Sequence, residues 1–203
     1  MYKRKIRDYI RLGCSLLFSW LYLPHLLIYS ICGKHEHISR DIEKTHTDTL
    51  NLSGALGLLY LLHNNRYYRS LFYHRIGPVW SMLIGWWRPA DRYFIISPTT
   101  KIGPGVRIAH PYATIINAES IGENFSCINC TTIGSKSTGR PTIGDNVTLG
   151  ANVSVIGNVH IGNNVLVGAG SVVVKDLPDN AIAVGNPAKV VRYVEVNMNN
   201  KNK

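Results

Sequence analysis

The sequence predicts a chain in two parts, an α-helical N-terminal region followed by a parallel β-helix. Three observations carry this expectation. Aliphatic residues recur every six positions over residues 102–178. Over residues 53–90 apolar side chains instead follow the three-and-four spacing of a helix. The 203 residues, 45% of them apolar, suffice for one ordinary domain and a smaller companion.

Taken in order, the chain opens on the basic cluster Lys3, Arg4, Lys5, Arg7 and Arg11. An apolar run without formal charge follows over residues 12–32. The run is long enough to span a bilayer as one helix, and a basic start before an apolar stretch is also the outline of a signal peptide. Pro24 and His25 stand inside it, and proline removes a helical hydrogen bond. Two short amphipathic pieces result, either lying in a membrane interface with Trp20, Tyr22 and Tyr29 at headgroup depth or packing as a hairpin in an oligomer. Residues 55–63 and 66–76 read as helices, the second carrying Tyr68, Leu71, Phe72 and Arg75 on one face and stopped by Gly77-Pro78. Trp80, Trp86 and Trp87 continue this aromatic stripe, which reads as core.

From residue 102 the period becomes six. Ile121, Cys127 and Ile133, then Ile143, Leu149, Val155, Ile161, Val167 and Val173, fall at that interval. Four places after many of them stand Phe125, Thr131, Val147, Val153, Val159, Val165 and Ser171, a second inward set. Ile102 and Ile108 begin the count, with Thr114 next and one extra residue before Ile121. So short a period belongs to a parallel β-helix, in which three hexapeptides make one coil and successive coils stack about 4.8 Å apart. The expected divisions are a basic and apolar segment over 1–50, a helical domain over 51–100, the β-helix over 101–192 and a polar tail over 193–203.

Charge excludes a duplex-binding domain. The chain carries +10, yet residues 102–180 carry −1, so the excess lies in the first hundred residues and the tail. Cys127 and Cys130 form a CxxC with no second pair to complete a zinc site, and the period points Cys127 inward. His160 takes an outward, solvated position. No metal is expected.

Ile143-Gly-Asp-Asn-Val, Val167-Gly-Ala-Gly-Ser-Val-Val-Val-Lys-Asp-Leu-Pro and Val184-Gly-Asn-Pro-Ala-Lys-Val-Val resemble the C-terminal signature of the hexapeptide-repeat acyltransferases, within them the serine acetyltransferase branch. Tyr73-His74-Arg75-Ile76-Gly77 is similar to the end of that branch's helical domain, and the resemblance covers residues 66–192. It implies an all-β left-handed parallel β-helix of hexapeptide repeats behind α-helices, a homotrimer, and acetyl-CoA as co-substrate. His110, in Ile108-Ala-His-Pro-Tyr-Ala-Thr-Ile-Ile, stands where the family carries its catalytic base, as a hydroxyl attacking a thioester requires. The pantetheine arm would follow Gly150, Ala151, Gly168, Ala169 and Gly170, and the phosphates would meet Lys175, Lys189 and Arg192.

Three positions depart from the family pattern. Ala109 replaces the aspartate before the histidine, Ile95 stands at the dyad aspartate, and Gly139-Arg140-Pro141 lacks the loop histidine. Arg140 remains as a substrate-binding clamp for an anionic group. These departures turn the expectation from free serine toward a sugar hydroxyl of a surface-polysaccharide precursor, with L-serine as the alternative. The expected location is cytoplasmic, at the inner face of the membrane, with residues 1–32 touching the lipid.

Overall fold

The computed structural model describes residues 2–45 and 50–194, with side chains from Ile6 onward. The chain divides into a helical unit, residues up to 98 with 104–107, and a β-helical unit, residues 99–103 with those from 108 onward. The tail expected over 193–203 lies, beyond Val194, outside the described residues.

The helical unit comprises α1 (Tyr2–Leu17), a 3-10 turn (Ser19–Tyr22), α2 (Leu23–Ile31), α3 (His35–Thr45), α4 (Gly54–Asn64) and α5 (Arg66–Ile84), then the short strand β1 (Phe94–Ile96). The apolar run over 12–32 is therefore not one helix. It breaks at the 3-10 turn, and Pro24 sits in the first turn of α2, where its missing N–H costs nothing. Asn65 caps α5, its Oδ1 accepting from the backbone N–H of Tyr67 and Tyr68 at 3.1 Å. Gly77, at φ 83°, breaks α5 where the sequence places a stop, and a short helical segment resumes from Pro78.

The core is built from Tyr22, Ile38, Ile42, Leu58, Leu62 and Phe72, with Tyr68 and Leu71 also buried. The tryptophans correct the sequence reading. Trp80, Trp86 and Trp87 are exposed rather than core, because the break at Gly77 ends the face shared by Tyr68, Leu71 and Phe72.

A buried histidine gives this unit a pH dependence. His25 Nε2 lies 2.8 Å from the Tyr73 hydroxyl, which itself donates to the Arg88 carbonyl, so the ring is the neutral tautomer with hydrogen on Nε2. Burial, then the charges of Arg69 and Arg88, push its pKa down to about 4. Between that value and the ordinary 6.5 the unfolded chain binds a proton that the folded chain refuses, so stability falls as pH drops through this window. The expected loss is roughly 2–3 kcal/mol from pH 7 to 4.5. Urea midpoints at the two pH values check it, and His25→Gln, which keeps the donor and cannot titrate, should flatten the difference.

The β-helical unit has three parallel faces. The first stacks β2 (Lys101–Ile102), β5 (Ser120–Ile121), β8 (Thr142–Ile143) and β11 (His160–Ile161). The second stacks β3 (Arg107–Ala109), β6 (Ser126–Ile128), β9 (Thr148–Leu149), β12 (Leu166–Val167) and β14 (Ala181–Gly185), and β15 (Ala188–Tyr193) closes it antiparallel to β14. The third stacks β4 (Thr114–Ile116), β7 (Thr132–Gly134), β10 (Ser154–Ile156) and β13 (Val172–Val173). Four coils are complete and a fifth is partial. Register aligns Ile102, Ile121, Ile143 and Ile161 in one inward row. Cys127, Leu149, Val167 and Ala183 form the next, and Ile116, Ile133, Val155 and Val173 the third. All twelve are buried, as is the second inward set from Phe125 to Ser171.

Between the first and second faces, Asn124, Asn146, Asn164 and Asn180 share a left-handed backbone with φ from 57° to 61°. Each side-chain amide donates to the carbonyl oxygen of the next at 3.0–3.1 Å. Asparagine tolerates this backbone region better than most residues, so one residue type supplies both the turn and the bond between coils.

Candidate active site

The first coil departs from the six-residue count, and the departure carries His110. Thr114 is buried but occupies the second inward position, and Ile116 fills the aliphatic row opposite Ile133. This corrects the count that placed Thr114 in that row. Relative to the second coil, where Cys130 N–H donates to the Tyr112 carbonyl, two residues are inserted after Ala109. They are His110 and Pro111. The insertion makes a bulge between the second and third faces with His110 at φ 51°, while Ala113 at φ 52° keeps the corner conformation that Cys130 and Asn152 repeat at 57° and 56°. Among the described residues His110 is the one non-glycine residue with a left-handed φ that is not a repeated coil corner, an outlier of the kind that gathers at functional sites. Pro111 is buried beneath the bulge and His110 is exposed. Tyr112 N–H donates to the His110 carbonyl at 2.6 Å. The imidazole itself has no hydrogen-bond partner among the described residues, consistent with alanine at 109.

The coils stacked on this bulge place other expected residues on the same edge. Asn129 accepts from Asn152 N–H at 2.9 Å, and Ala151 accepts from Gly170 N–H at 2.9 Å, so Tyr112, Asn129, Ala151 and Ala169 follow one another up the corner. Gly150 and Gly168 sit just before it. A Cβ at Gly150 would come within 2.6 Å of the Ala169 nitrogen, and one at Gly168 within 2.6 Å of Val184 Cγ1. Both glycines are therefore demanded by the stacking, while Ala169 and Gly170 form its exposed lip. Lys189, opposite Val184 in β15, continues the edge beyond Gly168. Three coil spacings, about 14 Å, separate His110 from Ala169. This edge of small residues, with an exposed imidazole near one end and a cation near the other, is an arrangement that suits a long, flexible anionic ligand.

Not every expected residue joins this edge. Arg140 leaves the excursion over 135–141 between the third and first faces, where its Nε donates to Glu119 Oε2 at 3.1 Å, Nη2 donates to the same oxygen, and Nη1 donates to Thr99 Oγ1 at 2.7 Å. Lys175 lies on that same corner. Arg192, opposite Ile182, is exposed on β15. Within one chain Arg140 and Lys175 are thus on a different edge from His110.

The competing residues play structural parts. His160 Nδ1 lies 3.0 Å from Thr142 Oγ1 on the outer surface, and its backbone N–H donates to Asp176 at 2.7 Å. Cys127 is buried in the aliphatic row, and burial pushes its thiol up to about 12, so it is no thiolate at neutral pH. In the helical unit a cavity of about 330 Å³ is lined in part by Ser70, Tyr73 and Asp91. Its polar groups are committed: Asp91 binds Arg66 at 2.6 Å, Ser70 accepts from Asp91 N–H, and Tyr73 donates to Arg88.

Residues 140–175 match the family profile of the bacterial transferase hexapeptide (six repeats). Over 99 residues the chain is 43% identical to the putative colanic acid biosynthesis acetyltransferase WcaB of Escherichia coli, an alignment covering 47% of this chain and 61% of WcaB. Serine acetyltransferase 4 of Arabidopsis thaliana is 39% identical over 105 residues, 49% of this chain and 30% of that enzyme. The alignments thus span from under a third to about three-fifths of these relatives. Among solved structures, serine acetyltransferase of Neisseria gonorrhoeae superposes with a TM-score of 0.65 at 27% identity, covering 82% of this chain and 69% of that one. The chain thus carries hexapeptide repeats and is similar over about half its length to serine acetyltransferases and to WcaB.

Proposed function

We propose that the chain is an acetyl-CoA-dependent O-acetyltransferase in which His110 is the general base. The observation that carries this reading is the two-residue bulge. It sets an exposed imidazole on a left-handed backbone at the foot of the edge bearing Ala151, Ala169, Gly170 and Lys189. The acceptor hydroxyl gives its proton to the imidazole as its oxygen attacks the thioester carbonyl. The tetrahedral adduct collapses by breaking the carbon–sulfur bond, and the imidazolium returns the proton to the departing thiolate. Transfer is direct, and no acyl-enzyme forms. Pantetheine lies along the edge, with Lys189 and Arg192 toward the phosphates.

The working unit is a homotrimer in this reading. Arg140 and Lys175 occupy the edge that a single chain keeps apart from His110, so a neighbouring copy is what brings them to it. The acceptor is a sugar hydroxyl of a surface-polysaccharide precursor. In sequence, Ala109 and Ile95 hold the positions at which the resembled family carries aspartates, and the loop has no histidine for a free amino acid. The likeness to WcaB supports the same choice. Serine is the second reading, favoured by the identity to the Arabidopsis enzyme. The reaction draws on cytoplasmic acetyl-CoA.

An acceptor panel with purified protein and acetyl-CoA, followed by thiol release, tests this. Turnover with glycan acceptors exceeding that with L-serine is expected. Rapid turnover with millimolar serine and none with glycans would transfer the assignment to the second reading.

A further inference from the structure

The outer helices of the helical unit are inside out. On α1 the residues facing the unit are Asp8, Leu12 and Ser15, with Asp8 and Ser15 buried and Ser15 Oγ accepting from Asn64 Nδ2 at 2.8 Å. The residues facing away are Ile6, Tyr9, Ile10, Leu16 and Leu17, the last 71% exposed. A helix that turns its polar stripe to its own unit and its apolar stripe outward has a second partner for the latter. The 3-10 turn and α2 continue the pattern, exposing Trp20, Leu23, Leu27 and Ile31 while His25, Ile28 and Tyr29 are buried.

The segment after Gly77 extends this face. Trp87 Nε1 donates to the Leu21 carbonyl at 3.0 Å, and Arg88 reaches the Tyr22 hydroxyl. Beside them Val79, Leu83, Met82 and Trp86 are exposed, the last two by 82% and 75%. All four tryptophans of the chain are more than one-third exposed, and all belong to this unit.

Charge identifies the occupant. The unit holds fourteen Lys and Arg against six Asp and Glu, so it carries +8 of the chain's +10. Among its described acids Asp8, Asp41 and Asp91 are buried, and the exposed pair, Glu36 and Glu43, both lie on α3. Arg7 and Arg11, each one residue beyond Ile6 and Ile10, flank the apolar stripe and are exposed. Arg7, beside Asp8, and Arg11, beside the Tyr60 hydroxyl, are its marginal charges, and among the described residues α1, the 3-10 turn, α2 and residues 79–87 expose no carboxylate, so a second copy would offer these cations no counter-charge. Lipid phosphates would neutralise them.

We propose that the face formed by α1, the 3-10 turn, α2 and residues 79–87 seats in the interface of an anionic lipid bilayer. Tryptophans lie at headgroup depth and Arg7 and Arg11 reach the phosphates. Among the described residues no single helix is long and apolar enough to cross a membrane, and the 71° bend between residues 6–17 and 19–31 suits a pair lying in one leaflet. The proposal extends the expected contact beyond residues 1–32 and does not rest on acetyl transfer.

The test uses the full chain, vesicles of phosphatidylcholine with and without one-third phosphatidylglycerol, flotation, and tryptophan emission. Expected are flotation with the anionic vesicles, a blue shift on binding, and weakening at high salt. Leu17→Glu together with Trp86→Glu should lower vesicle affinity about tenfold or more, with far-UV circular dichroism and thermal midpoint unchanged. Three results would overturn the proposal: no flotation with either vesicle, equal flotation with both, or a blue shift that follows protein concentration without lipid and vanishes in the double variant. The last would make the face a contact between copies.

Discussion

Replacing His110 by asparagine is expected to lower turnover by ~10²–10⁴-fold while leaving the KM for acetyl-CoA within about threefold of its original value. Asparagine suits the substitution because His110 sits at φ 51°, a region asparagine enters readily, so the bulge persists while the proton acceptor is gone. In the proposed mechanism the loss belongs in kcat, because the imidazole would act when the hydroxyl proton moves, whereas the edge proposed for the donor lies two and three coils away at Ala151 and Ala169. Steady-state thiol release with the preferred acceptor measures both constants, and thermal unfolding confirms that the fold is intact. Turnover within a few-fold of the original would remove His110 from the mechanism.

The largest stability effect is expected at Asp41, where α3 meets α5 and the short segment 104–107 in the helical unit. Arg75 Nε donates to Asp41 Oδ2 at 2.8 Å and Nη2 to Oδ1 at 3.2 Å, and the backbone N–H groups of Gly105 and Val106 donate to Oδ1 at 2.9 and 2.8 Å. Both side chains are buried. Asp41→Ala would strand a buried guanidinium and two backbone donors at once, a loss of about 3–5 kcal/mol. Asp41→Asn, which keeps acceptor oxygen for the N–H groups, should lose less. Urea denaturation of the two variants measures the difference. A loss below about 1 kcal/mol for Asp41→Ala would mean that Arg75 and the two N–H groups find water or another acceptor once the carboxylate is gone.

The β-helix was legible because every coil repeats one constraint. An inward aliphatic every six residues is a local rule, and Ile121, Leu149 and Val173 obey it without reference to anything distant. The helices over 55–63 and 66–76 were legible for the same reason. The bulge was not. An insertion of two residues after Ala109 shifts the third inward residue of the first coil from 114 to 116, and Thr114, small and buried, resembles an aliphatic slot closely enough to hide the shift. The signal lay in Ile116, which aligns with Ile133 once the insertion is allowed. Asp41 gave no signal either, since its partners stand 34 residues away at Arg75 and 64 and 65 away at Gly105 and Val106. The tryptophans misled because helical spacing identifies a face but not the direction in which it looks.

The sequence by itself determined the architecture, the repeat and the candidate base, since each is written in short-range periodicity or in a contiguous motif. Only the tertiary structure decided which edge each candidate occupies. It stacked Ala151, Ala169 and Lys189 above the His110 bulge and sent Arg140 and Lys175 to another corner. It also turned the apolar side of α1 outward. The physical reason is that coil stacking and helix packing join residues far apart in the chain. A bulge of two residues, or the choice of buried stripe on one helix, changes little in the local pattern and reassigns every contact across it.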